Sequence, residues 1–447
     1  MKARASVLFL RVWDALLCGV ALSGLAFILV SGVAQTPALP SDLFFRHYWA
    51  HHIVRLGFFW AALALFILIV KILFWLLYRP APPAAGLEAP TLTVIIPAYN
   101  EGAMVRKSID SVAAADYPAG RLKIVVVDDG SKDDTWEYVS AAAKERPDLI
   151  VPVRFPRNSG KRAALAEGFS RADSEVVVTV DSDSAVDKDA LLAIVGPMRD
   201  PKIGAVAGKV AVYNIHEGTI PRLLHVSYLL SFDFMRAIES VYGTVYCCPG
   251  ALTALRMEAV RKVLPRWLGQ KFLGLPCAIG EDRAMTNMIL AAGYDAVYQK
   301  SAVVRTVVPT TYSKLCRMFI RWNRSYMREE FVYMSAVVWR RPLGPLAVSL
   351  AERLVANGRY PVQYLGLPLF LFWAEQKADV LRWLLASISL ISLAYVLYCL
   401  SQESALDRKK NESFAFGLFY PFYAAFALFW IFPYALVTAR KGSWMTR

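Results

Sequence analysis

No C-x-x-C pair occurs among the six cysteines of this 447-residue chain, and its five histidines join them in no ligand cluster. That excludes a metal site built on thiolate and imidazole spacing. The cysteines are scattered, with Cys18 and Cys399 in or at apolar runs and Cys247 beside Cys248, so no disulfide framework follows. Neither G-x-G-x-x-G nor G-x-x-x-x-G-K-[ST] follows any predicted strand, which removes the dinucleotide fold and the P-loop nucleotide hydrolase. Acidic residues are in deficit, 36 against 50 lysines and arginines, for a formal charge of +14. The basic residues do not gather into an aromatic-interleaved patch on a soluble domain, so nucleic acid is not the expected partner. The charge fits a chain that lies against an anionic lipid leaflet and handles a small polyanion.

Apolar residues are in excess, 56% of the chain with 13% aromatic, and they bunch at the two ends. Ala15–Val33 is 19 residues without a charge and Leu56–Tyr78 is 23 with only Lys71. Each meets the about 20 residues needed to cross a hydrocarbon core of about 30 Å. A cleaved signal peptide is disfavoured by the length of the first run and the closeness of the second. Lys2, Arg4 and Arg11 precede the first span and Arg79 follows the second, while the loop between carries Asp42 and few positive charges. The positive-inside rule then puts the N-terminus and the residues after Arg79 in the cytoplasm, under an inner plasma membrane crossed several times. Val380–Leu400 and Phe414–Val437 also read as spans. The short run Tyr360–Ala374, with Pro361 and Pro368, is compatible with crossing, re-entry or an interfacial position.

The texture changes after the linker PAPPAAGLEAP, Pro80–Pro90. Strands are predicted at Thr93–Pro97, Ile124–Asp128, Val151–Phe155, Val176–Asp181 and Ala205–Ala211, with helices near Ala103–Ala115, Asp133–Arg146, Lys161–Ala172 and Lys188–Arg199. Continuous Val/Ile runs separated by helices predict an α/β fold around a mostly parallel, doubly covered sheet, a Rossmann-like architecture whose ligands sit at the carboxyl ends of the strands. The expected organisation is a two-span transmembrane hairpin over 1–79, the α/β domain over 80–310, an amphipathic interfacial helix region over 311–342, and a C-terminal transmembrane region with a tail over 343–447.

The polar clusters fall at those strand ends: PAYNE at Pro97–Glu101, DDGS at Asp128–Ser131, NSGKRAAL at Asn158–Leu165 and DSDS at Asp181–Ser184. Asp181 and Asp183, two carboxylates without thiolate or imidazole neighbours in the sequence, suit a hard divalent cation that keeps some waters and bridges to phosphate oxygens. Lys161, at a predicted helix start rich in free N–H groups, is placed for the same anion. A cation and a lysine around a diphosphate imply a nucleotide substrate. A D-x-D can also be a plain polar turn, a reading that weakens with three more polar clusters at the neighbouring ends.

Glu281 and Asp282 immediately precede the apolar positions Met285, Met288, Ile289 and Ala292 of a predicted helix. Either is a cap or a general base over an acceptor hydroxyl. Over Thr310–Met334 the arginines Arg317, Arg321, Arg324 and Arg328 make one stripe at helical spacing, and Leu315, Met318, Phe319, Trp322 and Tyr326 another. That pattern predicts an interfacial amphipathic helix with most arginines solvated or on lipid phosphate, Arg321 in contact with ligand, and Trp322 offering a stacking face.

These ordered motifs, PAYNE, VVVDDGS, NSGKRAAL, DSDS, GEDR and RW, resemble those of membrane-integrated family-2 glycosyltransferases, the processive group of hyaluronan, chitin and cellulose synthases. The resemblance covers roughly Thr91–Met334 and the tail. GEDRAMT, RWNRSYMREE and the tail SWMTR look closest to the hyaluronan synthase and chitooligosaccharide synthase branch. It implies a GT-A fold and inversion at the anomeric centre of a UDP-sugar. By matching position, Tyr99, Glu101 and Asp129 would hold uridine and Lys161 would meet the diphosphate. Asp181 and Asp183 would lie by the nucleotide sugar and Mg2+ or Mn2+, Asp183 as direct ligand. Glu281 and Asp282 of GEDR would be catalytic, Asp282 as base, with Arg283 at the nucleotide sugar. Arg321 and Trp322 would meet diphosphate and acceptor, and Trp444, Thr446 and Arg447 would close over the nucleotide. That last role needs a cytoplasmic tail and hence an even number of C-terminal crossings. Where the family writes Q-x-x-R-W, this chain has Met318, whose thioether cannot replace the amide's hydrogen bonds. The implied activity is repeated addition of UDP-N-acetylglucosamine, with or without UDP-glucuronate, to a growing β-linked polysaccharide that passes across the bilayer. The alternatives are single addition to a lipid carrier or a glucan- or alginate-type synthase.

Overall fold

The computed structural model describes Phe66 and residues 68–337, 343–366 and 413–440. Contacts divide the chain into one unit of Met1–Leu77 with Ala347–Leu428, and a second of Tyr78–Leu346 with Phe429–Arg447. The second unit holds every described residue singled out above for chemistry.

Its framework begins with apolar, β-branched runs. Leu92–Ala98 (β1) is buried along its whole length, as a central strand covered on both faces must be. Leu122–Asp128 (β2) lies parallel to it, and Ile150–Arg154 (β3) parallel to β2. On the other side of β1 runs Val176–Thr179 (β4), also parallel. The sheet continues through Ser184–Val186 (β5), Ile203–Val212 (β6), Thr253–Arg256 (β7) and Asp295–Thr306 (β10), in the order β3-β2-β1-β4-β7-β6-β10-β5. A separate two-stranded ribbon pairs Lys271–Phe272 (β8) with Leu275–Pro276 (β9).

This sheet is more mixed than the sequence predicts. β7 runs antiparallel to both β4 and β6, and β5 antiparallel to β10; the other four pairings are parallel. β7 is only four residues long and β10 shifts register between Gln299 and Val303, so neither carries the continuous apolar run that marks β1 or β2. The parallel left half matters most for function. Registers Ala98↔Asp128 and Ile95↔Thr179 bring the carboxyl ends of β1, β2 and β4 side by side.

The helices of this unit are Met104–Ala113 (α1), Thr135–Glu145 (α2), Lys161–Ser170 (α3), Ala190–Val195 (α4), Thr219–Tyr228 (α5), Met235–Val241 (α6), Met257–Leu268 (α7), Glu281–Ala291 (α8) and Tyr312–Val332 (α9). The helix predicted over Lys188–Arg199 is α4 followed by a 3-10 turn, Gly196–Arg199, because Pro197 has no N–H to continue the ladder. A π-helical turn, Leu229–Phe234, joins α5 to α6. α8 packs on α7 and α9, and α9 packs along a short apolar helix, Ile431–Val437.

On α9 the arginine stripe is not uniformly wet. Arg324 and Arg328 are 2% and 6% exposed. Arg324 donates to Thr438 Oγ1 from Nε and Nη2 at 3.1 and 2.8 Å, and Arg328 is tied to Glu329 and the Ile279 carbonyl. Tertiary partners replace water for these two, which periodicity along one helix cannot reveal.

In the first unit Lys71 pairs with the buried Glu352 at 3.1 Å, the latter on the helix Leu343–Pro361. Among the described residues no single helix is long and apolar enough to cross a membrane. The stretch expected as a span over Phe414–Val437 forms two apolar helices, Phe416–Ala427 and Ile431–Val437, that reach that length only as a broken pair. Ala15–Val33, Val380–Leu400, residues 56–65 and 67 of Leu56–Tyr78 and residues 367–374 of Tyr360–Ala374 lie outside the described residues.

Candidate active site

The rim of the sheet is tied together strand end by strand end. After β1, Asn100 takes φ 53° and its N–H donates to Ser131 Oγ at 2.9 Å, while its own Oδ1 accepts from the Lys132 N–H at 2.9 Å. Glu101 receives the Ser182 hydroxyl at 2.9 Å, so PAYNE is fastened to DSDS. Tyr99 lies on the same turn, half-buried. Asp129, expected at uridine, accepts from the Ser159 and Gly160 N–H groups at 2.7 and 2.8 Å. Burial pushes its carboxyl up, partly offset by those two bonds. Its present geometry makes it the anchor of the loop that aims Lys161.

Lys161 opens α3 and is the hub of the site. Its ammonium contacts Asp181 Oδ1 and lies 3.4 Å from Glu281 Oε1, with the side chain 18% exposed. Burial works against its charge, but Asp181 and Glu281 overcome this and hold its pKa above the ordinary range. Gly250 makes the approach feasible: a Cβ there would stand 2.8 Å from Lys161 Nζ and 3.2 Å from Asp181 Oδ1. A small pocket adjoins this cluster, lined by Lys161, Asp181, Glu281 and Asp282 and reaching back past Phe169 and Trp267.

Glu281 and Asp282 start α8 after Gly280, which takes the left-handed φ of 74°. No side chain could replace it, because a Cβ would meet Ser325 Oγ at 1.9 Å. The two acids are tuned apart. Burial raises Glu281, but the Lys161 charge outweighs it and the net shift is downward. Asp282 is raised, first by burial and then by the neighbouring Glu281 charge. Asp282 accepts from the Arg283 N–H at 2.7 Å and from the Cys247 thiol at 3.7 Å. Burial, reinforced by the Asp282 charge, pushes that thiol up to about 12, so it remains a donor.

Asp183 accepts from Thr306 Oγ1 at 3.2 Å and Ser184 Oγ at 3.3 Å. Among the described residues no group of three or more His, Cys, Asp and Glu side chains converges on a metal position. Asp181 and Asp183 offer carboxylate oxygens only. That donor set fits a hard divalent ion that draws the rest of its shell from phosphate oxygens and water.

Arg283, expected at the nucleotide sugar, is instead enclosed between the rings of Tyr246 and Tyr326, at 5.0 and 5.4 Å from their centroids. Its Nε and Nη1 are buried without hydrogen-bond partners, an arrangement the aromatic faces make tolerable. Trp322 stands in an aromatic wall, 5.5 Å from Phe319, 6.0 Å from Phe232 and 6.2 Å from Tyr228 between ring centroids. Tyr228 joins that wall to the acids: burial raises its phenol, Asp183 adds to the shift, and Arg321 opposes it. Met318 is buried. Trp444, Thr446 and Arg447 lie outside the described residues.

Tyr228, Phe232, Cys247, Gly250 and Thr306 are absent from the sequence-level site. The only signal for them is the P-G dipeptide at Pro249–Gly250, which marks a turn but no chemistry.

A mixed α/β sheet with acidic side chains at the adjoining ends of β1, β2 and β4 is the GT-A architecture of nucleotide-sugar transferases. Comparison with known proteins agrees. Residues 93–264 match the model of glycosyl transferase family 2. An N-acetylglucosaminyltransferase of Rhizobium meliloti is 30% identical over 371 residues, covering 82% of this chain and 84% of that protein. A hyaluronan synthase of Streptococcus pyogenes is 30% identical over 369 residues, 80% of this chain and 83% of the synthase. An N-acetylglucosaminyltransferase of Azorhizobium caulinodans is 35% identical over 252 residues, a match spanning 63% of its own length, less than two thirds. Among solved structures, a mannosyltransferase of Pyrobaculum calidifontis in complex with GDP-Man and Mn2+ has a TM-score of 0.55 at 22% identity, covering 82% of this chain and 98% of that one. That last likeness speaks to the fold. The chain belongs to glycosyl transferase family 2, and it is a glycosyltransferase of the branch that includes hyaluronan synthases and rhizobial N-acetylglucosaminyltransferases.

Proposed function

We propose that this protein is an inverting, processive sugar polymerase that takes a UDP-sugar, first of all UDP-N-acetylglucosamine with or without UDP-glucuronate, and extends a β-linked polysaccharide that it passes across the inner membrane. The single observation that carries the reaction type is the geometry at the start of α8: Glu281 lies 3.4 Å from Lys161 Nζ and Asp282 beside it lines the same pocket, where burial and the Glu281 charge raise the Asp282 carboxyl. A raised carboxylate is a better proton acceptor near neutral pH.

Asp282 takes the proton of the acceptor hydroxyl. The oxygen then attacks C1 of the donor sugar as the C1–O bond to the diphosphate breaks, so an α-linked donor gives a β-linked product and free nucleoside diphosphate. Lys161 meets the negative charge that grows on the departing diphosphate. Asp183, with Asp181, would hold Mg2+ or Mn2+, which supplies further charge neutralisation at that leaving group. Tyr99 and Glu101 flank the base of the nucleotide, Asp129 holds the loop before Lys161, and Arg321 and Trp322 orient the acceptor end. By motif position, Trp444, Thr446 and Arg447 are assigned to the nucleotide.

The test is nucleotide release from purified protein across a panel of UDP- and GDP-sugars with Mg2+ or Mn2+, together with the length of the product. UDP release with long product is the expected result. One added sugar per acceptor would mean single addition, and no release with any donor would overturn an enzymatic role.

A further inference from the structure

Beneath the candidate site lies a buried polar cluster that takes no part in the reaction described above. Glu329 on α9 is fully buried. Its carboxylate accepts from Gln270 Nε2 at 2.8 Å, Arg328 Nε at 3.0 Å and Asn287 Nδ2 at 3.3 Å, and Asn287 Nδ2 also donates to the Glu329 carbonyl at 3.1 Å. From there the contacts run in two directions, and both end at the acids of α8.

One arm goes through Arg328, whose Nη2 donates to the Ile279 carbonyl, one residue before Gly280. Gly280 is so close to α9 that an added Cβ would reach Arg328 Nη2 at 2.9 Å. The turn that aims Glu281 and Asp282 is therefore seated directly on α9. The other arm goes through Gln270, whose Oε1 accepts from Arg162 Nη2 at 3.1 Å. Arg162 also donates to the Trp267 carbonyl and lies 4.7 Å over the Trp267 ring. Trp267 Nε1 donates in turn to the Glu281 carbonyl at 2.9 Å. Arg162 is the neighbour of Lys161, so the loop of contacts closes on the hub of the site.

α9 is also the helix that carries Arg321 and Trp322, two turns before Glu329. A full carboxylate with three donors is a costly thing to bury unless all its bonds are made, and here they join three separate elements. We infer that Glu329 is a positioning residue that locks the acceptor-side helix α9 to the base-bearing turn of α8 and to the Lys161 end of α3, so that the acceptor hydroxyl and Asp282 arrive in register. This rests on the functional reading above. A misplacement of about 1 Å between reacting groups can lower a rate on the order of 10²-fold, and it penalises a large, oriented acceptor more than a small water molecule. The consequence is specific: loosening this joint should favour donor hydrolysis over sugar transfer.

The experiment uses full-length protein with UDP-N-acetylglucosamine, Mn2+ and a short N-acetylglucosamine oligosaccharide, measuring UDP released and sugar transferred in the same tube. Glu329→Gln keeps the shape but removes the charge opposite Arg328, and it is expected to raise UDP released per sugar transferred at least about tenfold, with donor KM changed little. Gln270→Met, at a half-buried position where folding is less at risk, should move the ratio the same way by about threefold or more, since it cuts the link between Glu329 and Arg162. The double variant Q270E/E329Q restores an acid–amide pair with its ends exchanged and should bring the ratio back towards wild type. Equal loss of release and transfer in both single variants would reduce Glu329 to a fold-stabilising residue and overturn the inference, as would an unmoved ratio in both. UDP release from wild type with none of the donors would overturn the functional reading, and this inference with it.

Discussion

Two clusters of acids and bases, one around Lys161 and one around Glu329, behave differently. Around Lys161 one cation faces Asp181, Glu281 and Asp282, so acids outnumber bases, and Asp181 stays 29% exposed. Around Glu329 one acid is met by an arginine and two amides and no water is needed. The first cluster is electrostatically unfinished and its acids are pushed to opposite sides of their ordinary range. In the second the carboxylate itself has every bond made, to Gln270, Arg328 and Asn287. That contrast separates a site built to exchange charge with a substrate from a joint built to hold geometry.

The comparison can be broken most severely at Asp282. Replacing it with Asn should lower sugar transfer by about 10²–10⁴-fold while the far-ultraviolet spectrum is unchanged, because the base is lost but the shape is kept. A chelator should come next. Removing divalent ions, or making Asp183→Ala, should reduce donor turnover by roughly 10²-fold, and added Mn2+ should restore the wild type but not the variant. Lys161→Met should weaken the donor by about 1.5–3 kcal/mol, read as a rise in donor KM. It should also move the pH profile. Asp282 works ionised, so its raised pKa places the acid limb above that of an ordinary carboxylate; Lys161 pulls that pKa down, and without it the limb shifts further up. The smallest effect belongs to Gly250→Ala, which pushes a methyl towards Lys161 Nζ. A few-fold increase in donor KM with kcat little altered would mark Gly250 as the residue that lets Lys161 and Asp181 meet. Asp282→Asn and Gly250→Ala should keep the thermal midpoint within a few degrees of wild type, whereas Lys161→Met strips the buried Glu281 of its cation and should lower it.

Much of the first cluster is legible in the linear chain, because strand ends are local features. PAYNE, DDGS, GKR and DSDS each sit where an apolar run stops, and their meeting follows once β1, β2 and β4 are parallel neighbours. Almost nothing of the second cluster is legible. Arg162, Gln270, Asn287 and Glu329 each look like an ordinary surface residue of a helix or loop, and their bonds join residues 59, 42 and 108 positions apart. The expectation that the α9 arginines face solvent or lipid fails at Arg324 and Arg328 for the same reason: a helical stripe gives direction relative to the helix, not the identity of what lies opposite. Arg283 shows the same limit, since a motif position names the residue but not the two tyrosines, 37 residues before and 43 after it, whose rings enclose its charge.

The amino-acid order alone determined the α/β alternation, the positions of the strand-end acids and the lysine, and the family to which their spacing belongs, because each depends on near neighbours along the backbone. Tertiary structure alone decided which strands run antiparallel, which arginines are dry, which of two adjacent acids is raised, and what holds the acceptor helix to the base. Those outcomes depend on burial and on charges brought together across the fold, and no local pattern records either.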